Sequence, residues 1–163
     1  MSYSRNFGFR SFENIVRNAR FRVPATGTPI KIGAPVSIDG SNPGRLVAAT
    51  EALAPGTGKG VVLYEHILKT GVDTSVAVPE DFDFVPLDAY AQVVSGPGVK
   101  VWFKSGLLNA GVDIADDIDP GVGLVPDGAG KYRVTDLLED EVSWFIVEQS
   151  NASTGVVEAR ITF

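Results

Sequence analysis

Residues Thr28 to Tyr64 read TPIKIGAPVSIDGSNPGRLVAATEALAPGTGKGVVLY, and the punctuation of this stretch decides the fold class. In Pro35-Val36-Ser37-Ile38 apolar side chains alternate with small or polar ones, the period of a half-buried strand. Asp39-Gly40 supplies the residue types of a tight reversal, because Gly accepts φ > 0 without a Cβ clash. Arg45-Leu46-Val47-Ala48 then reads as the returning strand. Ala52 to Gly58 has no apolar period and reads as a wide loop. Gly60-Val61-Val62-Leu63-Tyr64 is apolar enough for a strand buried on both faces.

The same grammar runs through the rest of the chain. The 18 Gly and 10 Pro are spread along it instead of collecting in one linker, so turns are frequent and strands short. Tyr90 to Ser95, the turn Gly96-Pro97-Gly98 and Val99 to Lys104 predict a hairpin. In its second strand Val99, Val101 and Phe103 share one face, with Lys100, Trp102 and Lys104 on the other, where the lysine stems can pack across the indole. Gly121 to Pro126 and Lys131 to Thr135 predict a second hairpin. Val142 to Glu148 and Val156 to Phe163 read as strands flanking the polar loop Gln149 to Gly155. In the last strand Val157, Ala159, Ile161 and Phe163 point one way, which ties Phe163 into a sheet. Phe82 and Phe84 pin a loop between Asp81, Asp83 and Asp88. The expected fold is all-β, a compact β-barrel or sandwich of roughly eight to ten strands.

At 163 residues the chain fits one domain with a sizeable core. It has no Cys, hence no disulfide and no thiolate site. No apolar run is long enough to span a bilayer, and Met1 to Arg5 is not followed by the apolar segment of a signal peptide. A soluble, non-exported protein without a membrane partner is expected.

The net charge of −6 is divided unevenly. Residues 1–22 carry Arg5, Arg10, Arg17, Arg20 and Arg22 against Glu13 alone, a net +4, which leaves −10 for residues 23–163. A basic arm, 1–22, thus precedes a single acidic β domain, 23–163. Arg5, Phe7, Phe9, Arg10 and Phe12 interleave guanidinium groups with aromatic rings, residue types that concentrate binding energy at interfaces. With Arg17, Arg20 and Arg22 they form the candidate docking residues for a neighbouring subunit or partner surface. The alternative is a solvated terminus with incidental arginines. Phe12, Ile15, Val16 and Ala19 follow a helical period behind Ser11 as N-cap, predicting one short amphipathic helix over Ser11–Arg20. Nucleic acid is not expected as a partner, because no basic block follows residue 22 and an acidic body repels phosphate.

Reactive constellations are not apparent. His66 is the sole histidine and has no Cys or second His to complete a zinc site. Pro55 to Gly60 imitates a phosphate-binding loop, but Leu53 stands where its first Gly belongs and Gly60 replaces its Ser or Thr. Asp113 to Asp119 is an acidic cluster without the spacing of a calcium loop, leaving a solvated loop as the main reading and an irregular cation site as the other. With no nucleophile beside a base and no carboxylate pair in an apolar setting, no enzymatic activity, cofactor or metal is expected.

Across Gly27 to His66, an apolar-Gly-x-x-Val strand, a DG turn and an Ala- and Gly-rich loop opening into Gly-Val-Val-Leu resemble the head decoration (capsid cement) proteins of tailed bacteriophages. The resemblance implies a structural virion protein on the capsid exterior, made in the host cytoplasm during assembly. Its implied partners are the major capsid protein and further copies of itself, with a trimer over local threefold positions favoured. The chain departs from the family in its extra Lys131 to Phe163 region and its Arg-rich arm. Two other readings stand beside this one: a tail or fibre-base protein, and a free β-module stacking a carbohydrate or small ligand on Trp102 or Trp144.

Overall fold

A computed structural model describes residues 7–11, 16–23, 26–27, 29–49, 60–63, 84–85, 87–136 and 142–163. The described strands in chain order are β1 (Phe7–Phe9), β2 (Val16–Arg22), β3 (Ile30–Lys31), β4 (Pro35–Ile38), β5 (Leu46–Ala48), β6 (Gly60–Leu63) and β7 (Phe84–Val85). They continue as β8 (Tyr90–Ser95), β9 (Lys100–Lys104), β10 (Gly123–Pro126), β11 (Tyr132–Val134), β12 (Phe145–Asn151) and β13 (Val156–Ile161). A 3-10 turn (Ser105–Leu107) follows β9, and one α-helical turn, α1 (Ile114–Asp117), precedes β10. A six-stranded sheet has the order β1-β9-β13-β12-β10-β11, a five-stranded sheet β2-β8-β6-β4-β5, and β3 pairs with β7 alone. Every ladder is antiparallel.

The arrangement is sandwich-like and not a closed barrel. One apolar cluster draws Val101, Phe103, Phe145, Val157 and Ala159 from the larger sheet and Val36, Leu46, Ala91 and Val93 from the smaller. The alternation read from the sequence produces this burial. Val99, Val101 and Phe103 are buried while Lys100 is exposed, and Val157, Ala159 and Ile161 are buried while Arg160 is exposed. Phe103, Tyr132 and Phe145, from β9, β11 and β12, meet with centroids 4.9 to 5.8 Å apart. The Tyr132 hydroxyl, buried with its ring, donates to the Gly33 carbonyl at 2.8 Å.

Three local expectations are corrected. Tyr90–Ser95 and Lys100–Lys104 are strands but not a hairpin, since β8 lies between β2 and β6 whereas β9 lies between β1 and β13. Gly96-Pro97-Gly98 carries the chain from one sheet to the other, and Gly96 and Gly98 donate to the carbonyls of Phe163 and Ile161 at 2.7 and 2.8 Å. A turn bonded to β13 in this way leaves its flanking strands free to pair with others. The expected helix over Ser11–Arg20 is, from Val16 onward, strand β2. Its seven residues complete the free edge of β8, a gain that outweighs the weak preference of a short isolated helix. The Ser11 hydroxyl accepts the Lys100 amide at 3.0 Å. Phe84, expected in a loop, pairs through β7 with Lys31. Phe12 to Ile15, Ala52 to Lys59, His66 and Phe82 lie outside the described residues.

The reversal after β4 also differs from a two-residue turn. It runs from Asp39 to Arg45, whose amide and carbonyl positions close it through Asp39 N–H to Arg45 O at 2.9 Å. The Asp39 carboxylate accepts from the Ser41 amide and hydroxyl at 2.9 and 2.7 Å, so the side chain does the work assigned to Gly40.

Candidate contact surface

The segment expected to dock is built into both sheets in its described residues. β1 is an edge of the six-stranded sheet and β2 an edge of the five-stranded one. Phe7 is 5% exposed and lies in the common core, edge-to-face against Phe9 at 5.4 Å. Phe9 is half-buried against the same cluster. These two rings are therefore held by their own chain. Arg5 and Phe12 lie outside the described residues, and Arg17 and Arg20 are placed here by backbone register alone.

Arg10 follows β1 and reaches across the outer face of the larger sheet. Its Nη2 lies 2.7 Å from Glu158 Oε1, and its guanidinium stands 5.9 Å from the Trp102 ring centre. Gly8, Trp102, Glu158 and Gln149 occupy one cross-strand row. The row packs because Gly8 has no side chain: a Cβ there would come within 2.5 Å of the Trp102 indole. Arg10 thus places a cation over Trp102. Gln149 donates to Glu158 Oε2 at 2.7 Å, so both carboxylate oxygens are engaged. Lys100 pairs with Glu148 at 2.9 Å. Next to the row lies a polar groove of about 350 Å³ whose walls include Arg10, Asn151, Thr154 and Glu158. Among the described residues its two charged walls, Arg10 and Glu158, are matched to each other. Exposed pairs of this kind contribute about 0–1 kcal/mol each, which makes the face adaptable more than stabilising.

A second cluster forms where β2 ends. Arg22 and Arg45 form an isolated parallel bridge, with the Arg22 amide donating to Gly44 O at 3.0 Å, so the edges β2 and β5 touch at one point. Asp88, in the left-handed region at φ 59°, places its carboxylate between the two arginines. Arg45 Nη2 donates to it at 2.9 Å and Arg22 Nη1 lies 3.3 Å away. The Arg45 hydrogen bond, with the charge of Arg22 beside it, holds the Asp88 carboxyl below the usual carboxylate range. Arg45 Nη1 also donates to Val23 O at 2.7 Å. The Arg22 guanidinium lies 4.9 Å from the Tyr90 ring centre, and Tyr90 is 55% exposed.

Trp144 is fully buried, with Phe163 edge-on at 4.9 Å, so it offers no stacking platform. Trp102 is half-buried beneath Arg10 and against Gly8. In the acidic stretch, Asp113 caps α1 by accepting from the Ala115 amide at 2.8 Å, and Asp117 accepts from the Asp113 amide at 2.7 Å. Among the described residues no three His, Asp or Glu side chains gather as a metal set, and no helix is long and apolar enough to cross a membrane.

Sequence reasoning found Arg10 and Arg22 but not their partners. Glu158, Asp88, Arg45 and Tyr90 come from distant positions, and nothing in their spacing marks them. These observations define an all-β, sandwich-like protein with two arginine-centred polar surfaces. No protein-family model and no curated protein matches the chain.

Proposed function

We propose that the chain is a structural virion protein of a tailed bacteriophage that binds the outer surface of the assembled capsid and stabilises it. Its partners are the major capsid protein and further copies of itself, with three subunits favoured, and it acts on the capsid exterior without chemistry of its own. The observation that carries this reading is the position of the basic segment, since β1 and β2 are edges of the two sheets and bring Arg10 and Arg22 to the perimeter. The edges of a sandwich and the faces beside them are where such a module meets neighbouring protein. The resemblance over Gly27 to His66 supports the same reading.

The test is to mix the purified protein with expanded capsids that lack it and to image the pelleted particles. Extra density on the head exterior, at three copies per local threefold position, is the expected result. Density confined to the tail or its fibre base, or failure to pellet with heads, overturns the proposal.

A further inference from the structure

The register between β12 and β13 slips by one residue after Val147, so that Glu148 is the extra residue of a β-bulge and Gln149 and Asn151 lie opposite Glu158 and Val156. In an unbroken ladder Glu148 would stand opposite Glu158, carboxylate against carboxylate, and Ser150 opposite Val156. The bulge instead brings two amides, two strand positions or about 6.6 Å apart, to the polar groove that Arg10, Thr154, Val156 and Glu158 also line. Re-aiming side chains at a binding site is a recurrent use of bulges.

Each amide is held in one orientation by a partner that acts in one sense only. Glu158 is a carboxylate and accepts, so Gln149 turns Nε2 to it at 2.7 Å and presents Oε1 as an acceptor. The Thr154 backbone amide donates, so Asn151 turns Oδ1 to it at 3.2 Å and presents Nδ2 as a donor. Among the described residues neither outward atom has a further partner. Ser150, between them, donates to Ile118 O at 2.7 Å and takes no part. Val156 gives the Asn151 end an apolar wall, and the Arg10–Glu158 pair gives the Gln149 end a polar one without net charge. An acceptor and a donor are thus fixed side by side in a groove that favours neither cation nor anion.

We propose that this groove binds the acetamido group of an N-acetylated hexosamine in a glycan. A trans secondary amide presents its N–H and C=O on opposite sides. Lying between the two side chains, it gives its N–H to Gln149 Oε1 and accepts from Asn151 Nδ2. That polarity sets the acetyl methyl against Val156 and directs the sugar ring toward Glu158 and Arg10. Arg10 spends Nε and Nη2 on Glu158, which leaves Nη1 to donate to a ring hydroxyl. The Thr154 hydroxyl donates to Asn151 O at 3.3 Å and keeps its lone pairs for another. About 350 Å³ is the lower end of the range for ligand pockets, a size for one sugar residue. Because donor and acceptor are oriented beforehand, binding loses little side-chain freedom. A peptide carries the same amide, but its chain continues beyond the carbonyl, where the groove meets the β12–β13 loop at Thr154, whereas an acetyl group ends there. The site is independent of the capsid reading, to which it would add adhesion to a glycan-bearing surface.

Three probes test the inference by amide-proton NMR titration of the full chain: N,N′-diacetylchitobiose; cellobiose, with the same linkage but hydroxyls in place of acetamido groups; and N-acetylglycine methylamide, a peptide amide without a sugar. Diacetylchitobiose is expected to bind most tightly and to shift the side-chain amide signals of Gln149 and Asn151. Cellobiose should bind about tenfold more weakly, the scale of losing two neutral hydrogen bonds. Asn151→Asp keeps the oxygen that accepts from Thr154 but has no donor, and Gln149→Lys keeps a donor for Glu158 but has no acceptor. Each should weaken diacetylchitobiose about three- to tenfold, and circular-dichroism melts establish that each variant is folded. Equal binding of the two disaccharides, equal or tighter binding of the peptide amide, or no shift with any probe overturns the inference. Shifts at the Trp102 indole in place of the two side-chain amides, or variants that both bind like the parent, overturn it as well.

Discussion

Gly33 joins two contacts that fix the N-terminal edge to the core. Its φ is +88°, and a Cβ there would approach the Phe7 ring to 2.5 Å, so the backbone conformation and the ring both require glycine. Its carbonyl accepts the Tyr132 hydroxyl. A Phe7→Ala loss of capsid binding would accordingly report a weakened core and not a lost docking contact. Tyr132→Phe isolates the polar part of this joint. It keeps the ring packing but leaves a buried carbonyl without its donor, and it is expected to cost about 1–3 kcal/mol in urea unfolding. Burial also raises the Tyr132 pKa well above that of a free phenol. Its neutral form is favoured in the folded state, so this contribution is complete below about pH 10 and is lost as pH rises further, when the unfolded chain ionises first. Ultraviolet titration should show a tyrosine component that ionises only as the protein unfolds, and Tyr132→Phe should remove the contribution of this residue. Four tyrosines all titrating before unfolding would contradict the assignment.

At the scale of elements, the strands were legible and their partners were not. Alternation located β4, β5, β9 and β13 because it reports which face of a strand is buried, and the β10–β11 hairpin followed from short turn chemistry. Alternation does not say which edge a strand joins. Hence β8 and β9, adjacent in sequence, were read as a pair, although their turn is bonded to β13. β2 was hidden for a related reason. Its bulge breaks the period of two, and the disturbed pattern imitates a helical one. The contact surface was half legible, as the arginines stood out by composition while Asp88 was one turn residue among many. Asp88 makes a prediction at this scale. Its carboxyl is held below the usual range, so its contribution is present above about pH 3.9 and is lost as pH falls through the lower folded value. Asp88→Asn should lower the melting temperature near neutrality and flatten its decline on the acid side. An acid limb as steep as the parent's would show that the pairing of β2 with β5 through Arg22 and Arg45 does not depend on this charge. Asp39 and Asp127 are shifted the same way, Asp127 by hydrogen bonds from Asn109 and two amides that outweigh its partial burial, so the decline is reduced and not removed.

Across the whole molecule, the ladders join distant parts of the chain: Phe7 pairs with Phe103, Trp102 with Glu158, and Arg22 with Tyr90. Contacts of such long range require large loops to close first, which places folding in the slower part of the range for single domains. The position of β13 sharpens the point. It is the last described strand, yet it sits between β9 and β12 in the interior of the larger sheet and also receives the Gly98 amide. On the ribosome, β9 and β12 therefore emerge with no common neighbour, and the rings of Phe103 and Phe145 stay uncovered until translation has passed Ile161. Nascent chains stalled with β13 still inside the exit tunnel should be cleaved by protease throughout the larger sheet, and chains stalled with β13 outside should resist. Emergence of β13 is thus a single closure on which the larger sheet waits, and before it the cell holds an incomplete sheet whose exposed strand edges invite chaperones or aggregation.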